Sequence, residues 1–298
     1  MKANIKKAPI LCFALALLLS APLPIAAVDV EFISGQNRVE TSVAISRHGW
    51  TAARTVILAP GANANLIDAL AVAPLAGQED APILLSVDNR LDPAVITEIQ
   101  RLGAKKVYAV GALQQSVVDQ VYASIPNVEV KVLKGQDRFE TAALINAEVQ
   151  NPRGAFLVGY SALADAVSVA SYAAANGYII QVARPGGSYY ADQAEFMQKS
   201  PEPSYIVGGP GLVQDISGVT RIFGANRYAT NKLLRDSLNF DYSHIYTADG
   251  ESLVDALTGS ALAAKNKSAI VLTPYNDLDK ADFGAITDST KVYAFGGR

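Results

Sequence analysis

Three arginines and three aspartates recur in register along this 298-residue chain: Arg38, Arg138 and Arg227, each followed at a near-constant interval by Asp68, Asp165 and Asp255. Each Arg belongs to one short phrase, Gly35-Gln36-Asn37-Arg38-Val39-Glu40-Thr41, Gly135-Gln136-Asp137-Arg138-Phe139-Glu140-Thr141 and Gly224-Ala225-Asn226-Arg227-Tyr228-Ala229-Thr230. Each Asp lies in an apolar run, Leu66-Ile67-Asp68-Ala69-Leu70, Leu163-Ala164-Asp165-Ala166-Val167 and Leu253-Val254-Asp255-Ala256-Leu257. A guanidinium and a carboxylate at such positions have two uses. They can form ion pairs that fix architecture, within a copy or across a seam between copies, or they can face a ligand directly.

Other reactive groups are sparse. Gly159-Tyr160-Ser161-Ala162-Leu163 opens like a nucleophile elbow but lacks the closing Gly, and His48 and His244 are the only histidines, so a Ser-His-Asp triad is not expected. Gly208-Gly209-Pro210-Gly211 follows a strand-like run, yet Pro210 interrupts it and no acidic partner follows at the dinucleotide-binding distance. No His-Glu-x-x-His, phosphate-binding Gly-Lys-Ser/Thr or calcium loop occurs, and Asp277-Leu278-Asp279 belongs to one copy alone. The reading is of no catalytic residue, no metal site and no cofactor.

The elements that must position the repeated residues follow one order. From the turn Gly to the Asp the separations are 33, 30 and 31 residues, and from the Asp to a strand-end Gly (Gly111, Gly208, Gly296) they are 43, 43 and 41. A period this long marks a duplicated supersecondary unit, and such units build binding surfaces more often than single pockets. Within copy one, 55–59, 81–85 and 106–110 are continuous apolar runs, as expected of strands buried on both faces of a parallel sheet. Helical patterns lie between them at 66–76 and 93–102, the second with Asp92 as N-cap and Gly103 as stop. The fold class predicted is α/β: three tandem repeats with parallel sheets in a pseudo-threefold arrangement. In each turn the Gly is expected to take positive φ, the Asn or Asp to cap a helix, and Glu40 and Glu140 to return a hydrogen bond to the cap's own N–H.

Lys2, Lys6 and Lys7, the apolar run 9–19 and Ala26-Ala27 have the layout of a secretory signal peptide, with cleavage expected after Ala27. No later run approaches the roughly 20 apolar residues of a membrane span. The one cysteine, Cys12, lies inside the signal, which removes disulfides, thiolate metal sites and cysteine nucleophiles from the mature chain. Without residues 1–27 the chain keeps 22 basic residues against 28 acidic ones, a formal charge of −6, and a nucleic-acid footprint is not expected. The domains predicted are a signal peptide at 1–27 and repeats at 28–126, 127–217 and 218–298.

The Gly-x-Asn/Asp-Arg turn, the Leu-x-Asp-Ala-Leu helix and the Pro82-Ile83-Leu84-Leu85 strand together resemble the cell wall binding repeat 2 family, over essentially the whole mature chain. The resemblance implies a secreted, non-catalytic protein of the cell wall or cell surface, anchored non-covalently to an anionic secondary cell-wall glycopolymer. Peptidoglycan stays open as a second partner. It also implies a polymer-binding role for the Ile-Leu-Leu segment, matched at Ile83, Leu84 and Leu85, partly at Ile270, Val271 and Leu272, and poorly at Ile179-Ile180-Gln181. A plain core strand is the competing reading of those residues. Alternatives are a cell-wall amidase or amidase modifier, and a soluble receptor for a wall-derived carbohydrate with Tyr189-Tyr190, in an irregular stretch from Arg184 to Ser204, as an aromatic lip.

Overall fold

The computed structural model describes residues 29–62, 66–69, 71–284, 286–287 and 289–297, apart from the side chains of Ile67 and Asp68. Residues 1–27, read above as a signal peptide, lie outside this range. Three four-stranded sheets, all parallel, carry the chain. The first contains β2 (Thr55–Pro60), β3 (Ile83–Ser86), β4 (Lys106–Val110) and β5 (Glu129–Leu133) in the order β3-β2-β4-β5. The second repeats this pattern with β6 (Gly154–Val158), β7 (Tyr178–Val182), β8 (Tyr205–Val207) and β9 (Thr220–Ile222) as β7-β6-β8-β9. In the third, β10 (His244–Asp249), β11 (Ile270–Thr273) and β12 (Lys291–Phe295) take their fourth strand from the opposite end of the chain, β1 (Val30–Ile33). Val30 aligns with Val292 and Ile33 with Phe295, which closes the three lobes into a ring.

Every sheet therefore has the same composition. Its outer strand is the one that immediately precedes the next copy's turn, so each turn carries the chain from one lobe into its neighbour. The helices that follow the turns are α1 (Arg38–Gly49), α5 (Arg138–Asn146) and α8 (Arg227–Ser237). They cover the inner edge strands and hold their free backbone groups. The Ser42 hydroxyl accepts from the Leu85 N–H at 3.2 Å, and Asn231 donates to the Ile270 carbonyl while accepting from the Leu272 N–H.

The ring centre is helical. Here α2 (Val72–Gln78), α6 (Leu163–Asn176) and α9 (Val254–Lys265) pack on one another. Small residues allow the close approach: a Cβ on Gly77 would collide with the Ala174 backbone, and one on Gly259 with the Phe295 ring. Seam contacts include Asn231 to Ser168 at 3.2 Å, Lys265 to Asp80, and a Gln78 side chain that bonds both Glu148 and Gln150. The remaining helices, α3 (Pro93–Leu102), α4 (Gln115–Ser124) and α7 (Ala191–Lys199), lie at the periphery.

Several local expectations need correction. Helix 66–76 divides into a 3-10 turn, Leu66–Ala69, followed by α2. The stretch from Arg184 to Ser204 is not irregular throughout, because Ala191–Lys199 is helical, with Gln193 accepting from the Tyr190 N–H at 3.0 Å. Gly35, Gly135 and Gly224 do not take positive φ. Space is the reason for glycine there: a Cβ at Gly135 would stand 2.5 Å from the Glu140 Cβ. Glu40 and Glu140 do bond backward, but to the N–H groups of Gln36 and Gln136, one residue before the cap.

Candidate functional site

In each copy the turn is locked by its own side chains. Asn37, Asp137 and Asn226 cap their helices by accepting from backbone N–H groups two or three residues on. The motif Thr has a role that local capping did not explain: the hydroxyls of Thr41, Thr141 and Thr230 accept from the N–H groups of Gly35, Gly135 and Gly224 at 2.9–3.1 Å. Each turn is thereby fixed at both ends, and the Arg one residue after the cap is carried into the seam.

The three arginines all reach the loop after the first strand of their own copy. Arg38 donates to the Gly61 carbonyl at 2.6 Å, Arg138 to Tyr160 at 3.3 Å, and Arg227 to Gly250 at 2.5 Å. Arg138 also lies over the Tyr160 ring, 4.6 Å from its centroid, and Arg227 is 3.5 Å from the Glu251 carboxylate. The electrostatic partner across the seam is the Asp of the preceding copy. Arg227 acts on Asp165, and Arg38, by ring closure, acts on Asp255. The Asp68 side chain, the third of the repeated carboxylates, lies outside the described residues.

Asp165 is buried, and Asp255 is half-buried with its Oδ1 atom out of water. Burial pushes the Asp165 carboxyl up to about 6, opposed by the attraction of Arg227. Burial likewise pushes Asp255 up to about 6, opposed by Arg38 and reinforced by Asp249. The constant Asp-to-Gly spacing has a steric cause. A Cβ on Gly208 would lie 2.6 Å from Asp165 Oδ2, and one on Gly296 would lie 2.6 Å from Asp255 Oδ2. The strand-end glycines have φ of 105° and 85°, a region that side-chain-bearing residues rarely occupy.

These groups meet at the carboxyl ends of the first and third strands of a sheet, between which the chain reverses its direction of winding. Open α/β sheets place ligands there. Between the second and third lobes lies a cleft of about 420 Å³ lined by Asp165, Arg227, Asn226, Gly209, Leu212 and Leu253, among others. Leu253 has φ 60°, an unusual conformation for a branched apolar residue, and it directly precedes the helix that holds Asp255. A second cleft, of about 700 Å³, lies beside the first turn and is lined by Arg38, Arg90, Asp88 and Asp92, among others.

The apolar segments contribute differently. Ile83, Leu84 and Leu85 are buried in β3, and Ile270, Val271 and Leu272 in β11, none more than 4% exposed. They are core strand and offer no surface to a ligand. His48 and His244 both flank the Tyr293 ring, at 5.1 and 6.1 Å between centroids, and neither lines either cleft. No group of three or more His, Cys, Asp or Glu side chains that could hold a metal occurs among the described residues. Sequence reasoning missed Leu212 and Tyr160 as site residues, which carry no repeated signature, and Leu253, which the repeated Leu-x-Asp-Ala-Leu run contains without marking it as a cleft residue.

The threefold pattern of turn, Asp and strand-end Gly has an independent counterpart in a family model, the cell wall binding domain 2, which matches residues 33–121, 132–216 and 221–298. The chain belongs to the cell wall binding domain 2 family. Solved structures share the ring: Cwp6 from Clostridium difficile superposes with a TM-score of 0.80 at 26% identity, covering 91% of this chain and 46% of that one. Cwp8 from the same organism gives 0.76 at 31% identity, covering 90% and 49%. Among curated relatives, the N-acetylmuramoyl-L-alanine amidase LytC of Bacillus subtilis (strain 168) is 30% identical over 271 residues, 88% of this chain and 54% of the relative. The amidase enhancer of the same strain is 26% identical over 88% of this chain and 37% of its own length. The chain thus spans about half the length of the amidase and a smaller share of the enhancer. Its role as a cell wall binding module follows from family membership, and no helix among the described residues is long and apolar enough to cross a membrane.

Proposed function

We propose that this protein is exported through a signal peptide at residues 1–27 and attaches non-covalently, without catalysis, to an anionic secondary polymer of the wall through the seams of its ring. The observation that carries this reading is the cleft between the second and third lobes, where the Arg227 guanidinium and the buried Asp165 carboxyl converge at a strand switch point. An overall acidic chain can hold an anionic polymer only where cations are concentrated, and the turn delivers one Arg to every seam. Peptidoglycan is the competing partner. An amidase activity is not part of the proposal, since neither cleft contains a histidine or a paired acid and base.

Co-sedimentation with purified walls, before and after chemical removal of secondary polymers, tests the reading. Pelleting is expected to disappear after stripping, to weaken with added salt, and to weaken for Arg227→Ala. Unchanged pelleting after stripping would favour peptidoglycan, and no pelleting in either case would favour a soluble receptor.

A further inference from the structure

The polar groups of the cleft between the second and third lobes are unequally satisfied. Arg227 already has the Gly250 carbonyl and the Glu251 carboxylate as partners. Asp165 is only 7% exposed, lines the cleft, and accepts no hydrogen bond from any described residue. Its surroundings explain why. Gly208 stands against one carboxylate oxygen without a side chain, Leu212, Leu253 and Ala162 are apolar, and Arg227 is the only other charged group lining the cleft. A related arrangement occurs at the next seam, where Asp255 Oδ1 is buried without a hydrogen-bond partner, Gly296 stands against Oδ2, and Arg38 attracts the carboxylate. A carboxylate largely withdrawn from water with no protein donor is costly to keep, and a ligand that brings donors relieves that cost.

We propose that the cleft holds a vicinal diol of a wall saccharide, its hydroxyls donating to the Asp165 carboxylate while an anionic substituent of the same polymer rests on Arg227. This rests on the reading of the seams as wall-polymer sites and adds the chemistry recognised there. Two adjacent hydroxyls match the two oxygens of a carboxylate, and each such bond to a charged acceptor is strong. Leu212, well exposed on the rim, offers an apolar surface to the C–H face of a sugar ring. Gly209, Gly224 and Ala225 keep the opposite wall free of large side chains, and the volume falls within the range of small-ligand sites. A polymer with a repeating unit suits a ring in which the same carboxyl recurs.

Mild periodate separates this inference from simple charge attraction, because it cleaves vicinal diols and leaves phosphate and carboxylate groups in place. The full chain is pelleted with untreated, periodate-treated and polymer-stripped walls. Affinity is expected to fall roughly tenfold or more on periodate treatment, and by a similar factor for Asp165→Asn on untreated walls. Thermal unfolding of that variant confirms its fold, and Asp236→Asn, an exposed change on α8, is expected to bind as the parent does. Ribitol against methyl mannoside as soluble competitor distinguishes an open-chain polyol from a ring as the source of the diol. Binding lost on stripping but unchanged by periodate, or full binding by Asp165→Asn, overturns the inference alone. Binding that survives stripping overturns the polymer reading and this inference with it.

Discussion

Replacing Asp255 by Asn should make the protein more stable at pH 8, although it removes a charge that faces an arginine. The folded-state carboxyl titrates at about 6 because burial outweighs the attraction of Arg38, whereas a free aspartate titrates near 3.9. At 1.36 kcal/mol per pH unit, that difference corresponds to about 3 kcal/mol of destabilisation once the group is ionised in the folded state. The sign follows from proton counting. Between about pH 4 and pH 6 the folded form keeps the proton and the unfolded form has lost it, so stability falls as pH rises through this window. Above pH 6 both forms are ionised and the penalty is complete and constant.

The amide introduced by Asp255→Asn would be neutral throughout and free of this slope. The unpartnered Oδ1 of Asp255 means that no hydrogen bond is forfeited at that atom. For a domain of this size the expected gain at pH 8 is about 6 °C in Tm, shrinking toward zero near pH 4. Asp165 carries a slope of the same sign and would remain in the single variant, so the variant's pH dependence in this window should be shallower than the parent's but not abolished. Thermal unfolding followed by circular dichroism at half-unit intervals from pH 4 to pH 8 measures it. A variant that runs parallel to the parent, or falls below it at pH 8, would show that the Arg38 attraction exceeds the burial cost and would refute the reasoning.

Gly208→Ala should destabilise by about 1–3 kcal/mol, since φ of 105° strains a side chain and its Cβ would meet the Asp165 carboxylate, while Gly211→Ala, with open space around it, should change urea unfolding little. Glu98 is fully buried, and although burial pushes its carboxyl up, hydrogen bonds from Arg101, Ser46 and Arg47 hold it below the usual carboxylate range. Its contribution is therefore present at neutral pH and lost on acidification, and Glu98→Gln should cost no more than about 3 kcal/mol in urea unfolding because both arginines are partly in water. Deleting Val30–Ile33 should open the ring and expose the edge of β12, seen as dimers or higher species on size-exclusion chromatography, and a monomer of unchanged stability would show that closure is dispensable.

Much of the local structure was legible because it depends on neighbours in sequence. The apolar runs at 55–59 and 106–110 are strands, Asp92 caps α3 by accepting from the Ala94 N–H, and Gly103 ends that helix with φ of 68°. The lobe to which an outer strand belongs was not legible. β5 reads as part of the second copy because it leads into the second turn, yet it pairs with β4, and only non-local hydrogen bonding decides that. Glycine at the turn was legible as a requirement but not by its cause, since steric contact with Glu140 is visible only once the helix is placed. The same limit applies to the site. The repeat marks Arg227 and Asp165 individually, while their meeting across a seam depends on the cyclic offset of the lobes.

That offset gives the seams a property that no single copy has. Each described site combines an Asp and a strand-end Gly from one lobe with an Arg, a helix cap and a loop carbonyl from the next, so the polar constellation is complete only when two copies are docked. A lone module would leave its Asp without a cation and its outer strand unpaired, which explains why the unit occurs in series. The raised carboxyls follow from the same geometry. A seam that served stability alone could have replaced each Asp with an apolar residue of similar size at little cost, because buried ion pairs are seldom better than good packing. Keeping a carboxyl that titrates near pH 6 at two seams, each with its strand-end glycine shaped around it, places the selective value of these residues in what they contact and not in how tightly they hold the ring.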